Sequence, residues 1–300
     1  MRAPDTACEI RTPLQDRNKC PEISFFPFAH SFLKRDSLVR PARWMLATLA
    51  LVPLAGAQSS PLTLVSYTTA GVVNSASNSR DGLAPNAIAT VYGAGLSYIT
   101  QSAFAVMPAS GLMPMQLAGV RVYVGEVSAP IYYVSPTQIN FLVPTELRPG
   151  DMDFFTMHDG IAGPHVRITL HDGAPGLYPW DAGMIASTHA DGTIITKDHP
   201  AHPGETVVMY GTGLGKTEPE LQTGLISMVA AQIQLLSELR VLVAGTALDA
   251  KSIQYAGVTP GIPGLYQVNL VLPKQLAPNP EIRISIGAQV SPPGMRLPVH

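Results

Sequence analysis

Imidazole and carboxylate side chains, the usual zinc ligands and proton carriers, crowd between His189 and His202, where Asp191, Asp198 and His199 also fall. The spacing of His199-Pro200-Ala201-His202 suits a metal, but Pro200 and Pro203 stiffen the segment into a loop. Solvated loop histidines are expected there, and no metal is assigned. Gly211-Thr212-Gly213-Leu214-Gly215-Lys216-Thr217 has the composition of a phosphate-binding loop. The first glycine of such a loop is replaced by Tyr210, and Glu218-Pro219-Glu220 follows where a helix should open toward an anion. A β-turn is expected instead, with no nucleotide or other cofactor. Glycoside cleavage would need two carboxyl groups across a cleft, and sequence pairs such as Asp151 with Asp153, or Glu218 with Glu220, are turn or strand acids whose facing the sequence does not fix. Gly-x-Ser-x-Gly and His-Glu-x-x-His are both absent from the sequence. The expectation is a non-enzyme with no catalytic, cofactor-binding or metal-binding residues. Tyr132, Tyr133, Tyr255 and Tyr266 are the side chains from which an aromatic platform for polysaccharide would be assembled, although strand tyrosines also serve sheet packing.

The elements that would position these groups come from one stretch that occurs twice. Gln138-Ile139-Asn140-Phe141-Leu142-Val143-Pro144 returns as Gln267-Val268-Asn269-Leu270-Val271-Leu272-Pro273. Each copy lies downstream of a Tyr-Gly-x-Gly-Leu turn, Tyr92 to Leu96 and Tyr210 to Leu214. Side chains alternate along a strand, so Ile139, Phe141 and Val143, and likewise Val268, Leu270 and Leu272, should face a core. Gln138 with Asn140, and Gln267 with Asn269, then share the opposite face. Their amides are expected to satisfy backbone groups of an adjoining loop or of the facing domain, the alternative being a ligand-reading edge. In the turns, Gly93-Ala94-Gly95 and Gly211-Thr212-Gly213 should supply positive φ values. The turns are 118 residues apart and the Gln-x-Asn motifs 129 apart, with the extra length expected in Gly224 to Glu238, as a short amphipathic helix or an apolar loop.

Composition agrees with an all-β chain. Of 300 residues only 13% are charged and 46% hydrophobic, and 28 Pro with 26 Gly suit short strands joined by many turns. Both cysteines, Cys8 and Cys20, precede the repeated region, which excludes a disulfide framework or thiolate zinc site from it. Arg40 and Arg43 precede the apolar run Trp44 to Leu54 and the small residues Ala55-Gly56-Ala57, the pattern of a secretory signal peptide cleaved before Gln58. The run is too short for a comfortable membrane span. No cysteine follows Leu54-Ala55-Gly56, so no lipid anchor is expected. Residues 1–37 show no periodicity and are expected to be a disordered leader or an over-long gene start. After Ala57 there are 11 Lys+Arg against 16 Asp+Glu, a net charge near −5 without basic clusters, which argues against nucleic acid or an anionic membrane surface as partner.

The chain therefore divides into a leader (1–37), a signal peptide (38–57), a first immunoglobulin-like β-sandwich (58–173), a Pro/Gly-rich linker (174–185) and a second sandwich (186–300). Gly71-Val72-Val73-Asn74-Ser75-Ala76-Ser77, both Tyr-Gly-x-Gly-Leu turns, Val134 to Pro144, Pro203-Gly204-Glu205 and Gly264 to Asn269 together resemble the uncharacterised C-terminal domain first recognised in secreted Solibacter proteins. The strand followed by Gly-x-Gly-Leu is also similar, at fold level, to the IPT/TIG immunoglobulin-like fold. The resemblance implies an extracellular module with no established catalytic residues. The expected function is a secreted or cell-envelope module for adhesion, scaffolding or surface recognition, acting on an unidentified extracellular protein or polysaccharide. The alternative is a carbohydrate-active protein that binds or cleaves polysaccharide.

Overall fold

The computed structural model describes residues 64–300 apart from 106–110 and Ala182; the leader and signal peptide lie outside the described residues. No α-helix occurs among the described residues. The first half contributes β1 (Val72–Asn74), β2 (Ile88–Tyr92), β3 (Gln101–Ser102), β4 (Val120–Val124), β5 (Val127–Ala129), β6 (Ile131–Val134), β7 (Gln138–Leu142), β8 (Gly150–His158), β9 (Ile161–Ala162) and β10 (Val166–Leu170). These form two antiparallel sheets, ordered β1-β2-β7-β6-β3 and β10-β8-β4-β5, with β9 hydrogen-bonded to β8. Alternation explains the layering: Val120, Val122 and Val124 of β4 are fully buried while Arg121 and Tyr123 point away from the core. Ile139, Phe141 and Val143 meet them from the other sheet, as their spacing predicts, and Phe141 lies 5.4 Å from Phe154 between ring centroids. Such a fully buried Phe contributes about 3–5 kcal/mol over Ala.

The second half contributes β11 (Gly176–Leu177), β12 (Pro179–Asp181), β13 (Met184–Ile185), β14 (Ser187–His189), β15 (Thr206–Thr212), β16 (Thr217–Glu218), β17 (Ala231–Ile233), β18 (Leu239–Val243), β19 (Thr246–Ala247), β20 (Ile253–Val258), β21 (Tyr266–Val271), β22 (Ile282–Ile286) and β23 (Gln289–Val290). Its sheets run β11-β15-β21-β20-β17-β16, with β14 also on β15, and β19-β18-β22-β23. Val268, Leu270 and Leu272 enter the core between them, again as expected.

The duplication extends to register. Ile88 pairs with Leu142 and Tyr92 with Gln138; in the second sandwich the corresponding Thr206 pairs with Val271 and Tyr210 with Gln267. Even the bulge is repeated, between Ile131 and Tyr133 on β6 and between Ile253 and Tyr255 on β20. Matched residues are 118 apart for β2 and β15, 119 for β4 and β18, 122 for β6 and β20, and 129 for β7 and β21. Seven extra residues therefore lie between β20 and β21, and Gly224 to Glu238 contributes almost nothing to the difference.

Two further segments differ from expectation. Within Gly224 to Glu238 the chain forms a loop, the short strand β17 and a single 3-10 turn at Leu236–Glu238 rather than a helix. The alternation of Ala231 and Ile233, both buried, with exposed Gln232 fits a strand whose partner is β20. In residues 174–185, β11 pairs with β15, and Leu177 and Tyr178 are buried, so the Pro/Gly-rich crossing is itself part of the second sandwich.

Candidate functional site

Most of the residues singled out for chemistry are occupied by structural tasks. The histidine segment 189–205 joins β14 to β15 around an open depression of about 490 Å³ lined by His189, His199, His202, Glu205, Pro200, Pro203 and Gly204. His189 Nδ1 bonds Glu205 Oε1, the backbone N–H of His202 donates to Glu205 Oε2 at 2.8 Å, and His202 Nδ1 lies 3.1 Å from the His300 carbonyl. His189 and His199 meet edge to face, with ring centroids 4.6 Å apart. Asp191 accepts the Thr193 hydroxyl at 2.7 Å and its backbone N–H at 2.9 Å. The hydroxyl first and the N–H second hold the Asp191 carboxyl below the usual range. Among the described residues no three His, Cys, Asp or Glu side chains are disposed to hold a metal ion.

The glycines of the two turns serve close packing. A Cβ on Gly93 would lie 2.4 Å from the Ser66 carbonyl oxygen, and one on Gly211 would lie 2.6 Å from that of Gly176. Only the second glycine of each turn, Gly95 at φ 66° and Gly213 at φ 80°, uses the left-handed region. In the segment with phosphate-loop composition, Gly213 and Gly215 let the Ala174 and Asp172 carbonyls approach, and Lys216 pairs with Glu220 at 3.3 Å. That loop is a packing turn. Asp151 and Asp153 stand two apart on the outward face of β8, bonded to Thr169 at 2.8 Å and to His165 at 2.6 Å. Glu218 is exposed at the end of β16.

The Gln/Asn pairs bond one another: Gln138 Nε2 donates to Asn140 Oδ1 at 2.8 Å, and Gln267 Nε2 to Asn269 Oδ1 at 3.1 Å. Thr90 adds a second donor to Asn140 at 2.9 Å. The partner is thus within the motif rather than in a neighbouring loop.

The four tyrosines do not form an exposed platform. Tyr132 and Tyr266 are buried, Tyr133 and Tyr255 half-buried, and the Tyr255 hydroxyl donates to the carbonyls of Ala231 and Val258. Tyr132 and Tyr266 instead sit in a junction between the sandwiches that sequence reasoning missed. Tyr132 donates to the Pro263 carbonyl. The Tyr266 hydroxyl donates to the Gly215 carbonyl and accepts from Asn86 Nδ2 at 2.9 Å. Thr212 Oγ1 accepts from the Ile88 N–H at 2.8 Å and donates to the Gly264 carbonyl at 2.7 Å. Thr145 and Thr223 bond each other at 2.9 Å and Ser75 bonds Tyr178 at 2.6 Å. Backbone bonds from Met113 to Gly224 and from Ile226 to Gly111 zip the edge, while Met113, Tyr132, Leu142, Ile88 and Ile226 supply an apolar centre. Burial raises the hydroxyl pKa of Tyr132, Tyr178 and Tyr266 above the ordinary tyrosine value. The seven extra residues between β20 and β21 are those that dock here. At Gly264, φ 72°, a Cβ would lie 2.5 Å from Leu142 Cδ1.

The remaining feature is a row of aromatic rings on open sheet surface. Tyr123 on β4 stacks on Phe155 of β8 at 4.7 Å and 9°, and Phe155 stacks on His165 at 4.4 Å and 17°. Phe155 and His165 carry no local signal in the sequence, because a ring row across β4, β8 and the residue preceding β10 requires the strand pairing to be known.

No family model matches the chain, and no curated protein matches it. Among solved structures, SGBP-B of the mixed-linkage glucan utilization locus of Bacteroides ovatus, in complex with a mixed-linkage heptasaccharide, is 10% identical over 73% of this chain and 43% of that chain, with a TM-score of 0.30. The surface glycan-binding protein PbSGBP-B of Prevotella bryantii is 12% identical over 78% of this chain and 42% of that one, with a TM-score of 0.23. The tandem Ig repeats of Dlar are 12% identical over 73% and 92%, with a TM-score of 0.20. The chain spans less than half the length of the two glycan-binding proteins. Likenesses this distant carry no function across. No helix among the described residues is long and apolar enough to cross a membrane.

Proposed function

We propose that the chain is a secreted, non-enzymatic recognition or scaffold module of the cell envelope, of the type found in secreted Solibacter proteins, released from its signal peptide before Gln58. The observation that supports this reading most is the junction. Its buried hydroxyls and amides bind the two sandwiches to each other, an investment in fixed geometry that suits presenting a surface rather than closing on a substrate. Asp151 and Asp153 lie on open strand surface with a hydroxyl and an imidazole partner, and Glu220 pairs with the Lys216 ammonium, which is the setting of structural groups rather than of a general acid and its partner base. The carbohydrate alternative retains one supporting feature, the ring row, and as a binder rather than a hydrolase. Affinity capture with the purified chain from the producing envelope, together with assays for release of reducing sugar, tests the proposal. Retention of a specific envelope component without product release is expected; turnover of any polysaccharide would overturn the non-enzymatic reading. Peptide mass mapping of the exported protein should place its first residue at Gln58, and a start upstream would remove the cleavage assignment.

A further inference from the structure

The duplicated fold carries its own control for deciding which features the sandwich needs. In the first sandwich Tyr123 pairs across strands with Phe155; at the matching positions of the second, Leu242 pairs with Arg283. Arg283 turns aside to donate from Nε to the Ser291 carbonyl at 3.0 Å. The strand pair β18-β22, in the same register as β4-β8 and with the same alternation of buried and outward residues on β18 as on β4, therefore forms without the stacked rings. Stability of the strand pair does not require Tyr123 and Phe155 to be rings.

From this we infer that the outward face of β10-β8-β4-β5 is a binding subsite for a neutral polysaccharide chain, centred on the row Tyr123–Phe155–His165. This inference rests on the proposed recognition role and names its ligand class. Cross-strand neighbours stack with their faces toward one another, which leaves one open ring face at each end of the row. At the Tyr123 end the cross-strand neighbour is Ser128, too short to cover an aromatic face. At the other end His165 is 56% exposed in its side chain, and its ring is held by the 2.6 Å bond from Nδ1 to Asp153 Oδ2. An aromatic face takes up the C–H surface of a pyranose ring, and the surrounding hydroxyls need donors and acceptors in the same plane. Both kinds are present: Asp151 and Asp153 accept, Arg167 lies opposite Asp153 on β10, and Arg121 is steadied by Gln116 at 2.9 Å. Among the described residues the Tyr123 hydroxyl makes no hydrogen bond. Two carboxylates and two guanidiniums cancel, so the face favours an uncharged polymer over a polyanion.

The test uses substitutions that the second sandwich already tolerates. Tyr123→Leu and Phe155→Arg install its residues at the matching positions, and His165→Ala removes the far ring. Isothermal titration of the purified chain with xylan, soluble starch and mixed-linkage β-glucan, and with alginate as the anionic control, should show binding to at least one neutral polymer and none to alginate. Each substitution should weaken that Kd at least tenfold, with an unchanged Tm showing that the fold survives. Absence of binding to every neutral polymer, equal binding by the variants, or alginate binding as tightly would overturn the subsite. Equal binding by the variants would leave the recognition role standing on another surface, whereas release of reducing sugar would contradict that role itself.

Discussion

One hydroxyl, that of Thr212, joins the two sandwiches by accepting from the Ile88 N–H and donating to the Gly264 carbonyl, with Thr212 wholly buried. Replacing Thr212 with Val keeps the shape but leaves both backbone groups unpaired away from water, each at about 1–3 kcal/mol. Thr212→Val should therefore lose about 2–6 kcal/mol in urea unfolding, while Thr212→Ser, which keeps the hydroxyl, should lose less than half as much. The junction tyrosines set a pH limit. Burial raises the folded-state pKa of Tyr132, Tyr178 and Tyr266, so ionisation is easier in the unfolded chain, whose tyrosines titrate near the ordinary value of about 10.0. Their contribution is complete below pH 10 and is lost as pH rises above it, because there the unfolded state binds fewer protons. Tm should fall steeply above pH 10, and Tyr266→Phe should flatten that fall while lowering Tm at pH 7 through its lost bonds to Asn86 and Gly215. Ile139, Phe141 and Val143 were legible as core because period-two alternation is written in the chain itself. Thr212, Asn86 and Tyr266 were not, because each takes its meaning from a partner more than 50 residues away that no local pattern marks.

At the level of elements, the second sandwich carries a longer connection between two strands that the first joins tightly. The bonded residues Val134 and Ile139 are five apart, whereas Ala256 and Val268 are twelve apart. The extra chain, rich in Pro and Gly from Thr259 to Leu265, lays Pro263 and Gly264 against Tyr132 and Leu142. Grafting Ser135-Pro136-Thr137 in place of 259–265 removes the Pro263 and Gly264 carbonyls that Tyr132 and Thr212 bond, and should lower Tm while both sandwiches stay folded. Calorimetry of the graft checks this; an unchanged Tm would show that the loop does not strengthen the junction. The sequence displays both motif spacings, 118 and 129, but not where between them the surplus lies. Leu225, Ile226, Met228 and Val229 gave Gly224 to Glu238 the look of inserted apolar chain, when most of that segment has a counterpart in the first half. Spacing between two motifs measures a total; only strand register shows where it accrues.

As a whole, the molecule is a pair of sister sandwiches whose likeness runs down to a shared bulge and whose differences mark what each has been adapted to do. The outer face of β2-β7-β6 is covered in the first sandwich, where Leu142 is wholly buried with Ile88 packed beside it; the corresponding Val271 is only half-buried. The ring row marks the other sheet of the first sandwich alone. This division into a docking face and a candidate binding face depends on the two sandwiches holding one orientation. Residual dipolar couplings measured in a single weakly aligning medium test that most directly. The junction predicts that one alignment tensor, with the same axes and magnitude, fits the backbone N–H couplings of both sandwiches. Two tensors of different magnitude would mean that the sandwiches move independently and that the junction does not hold them.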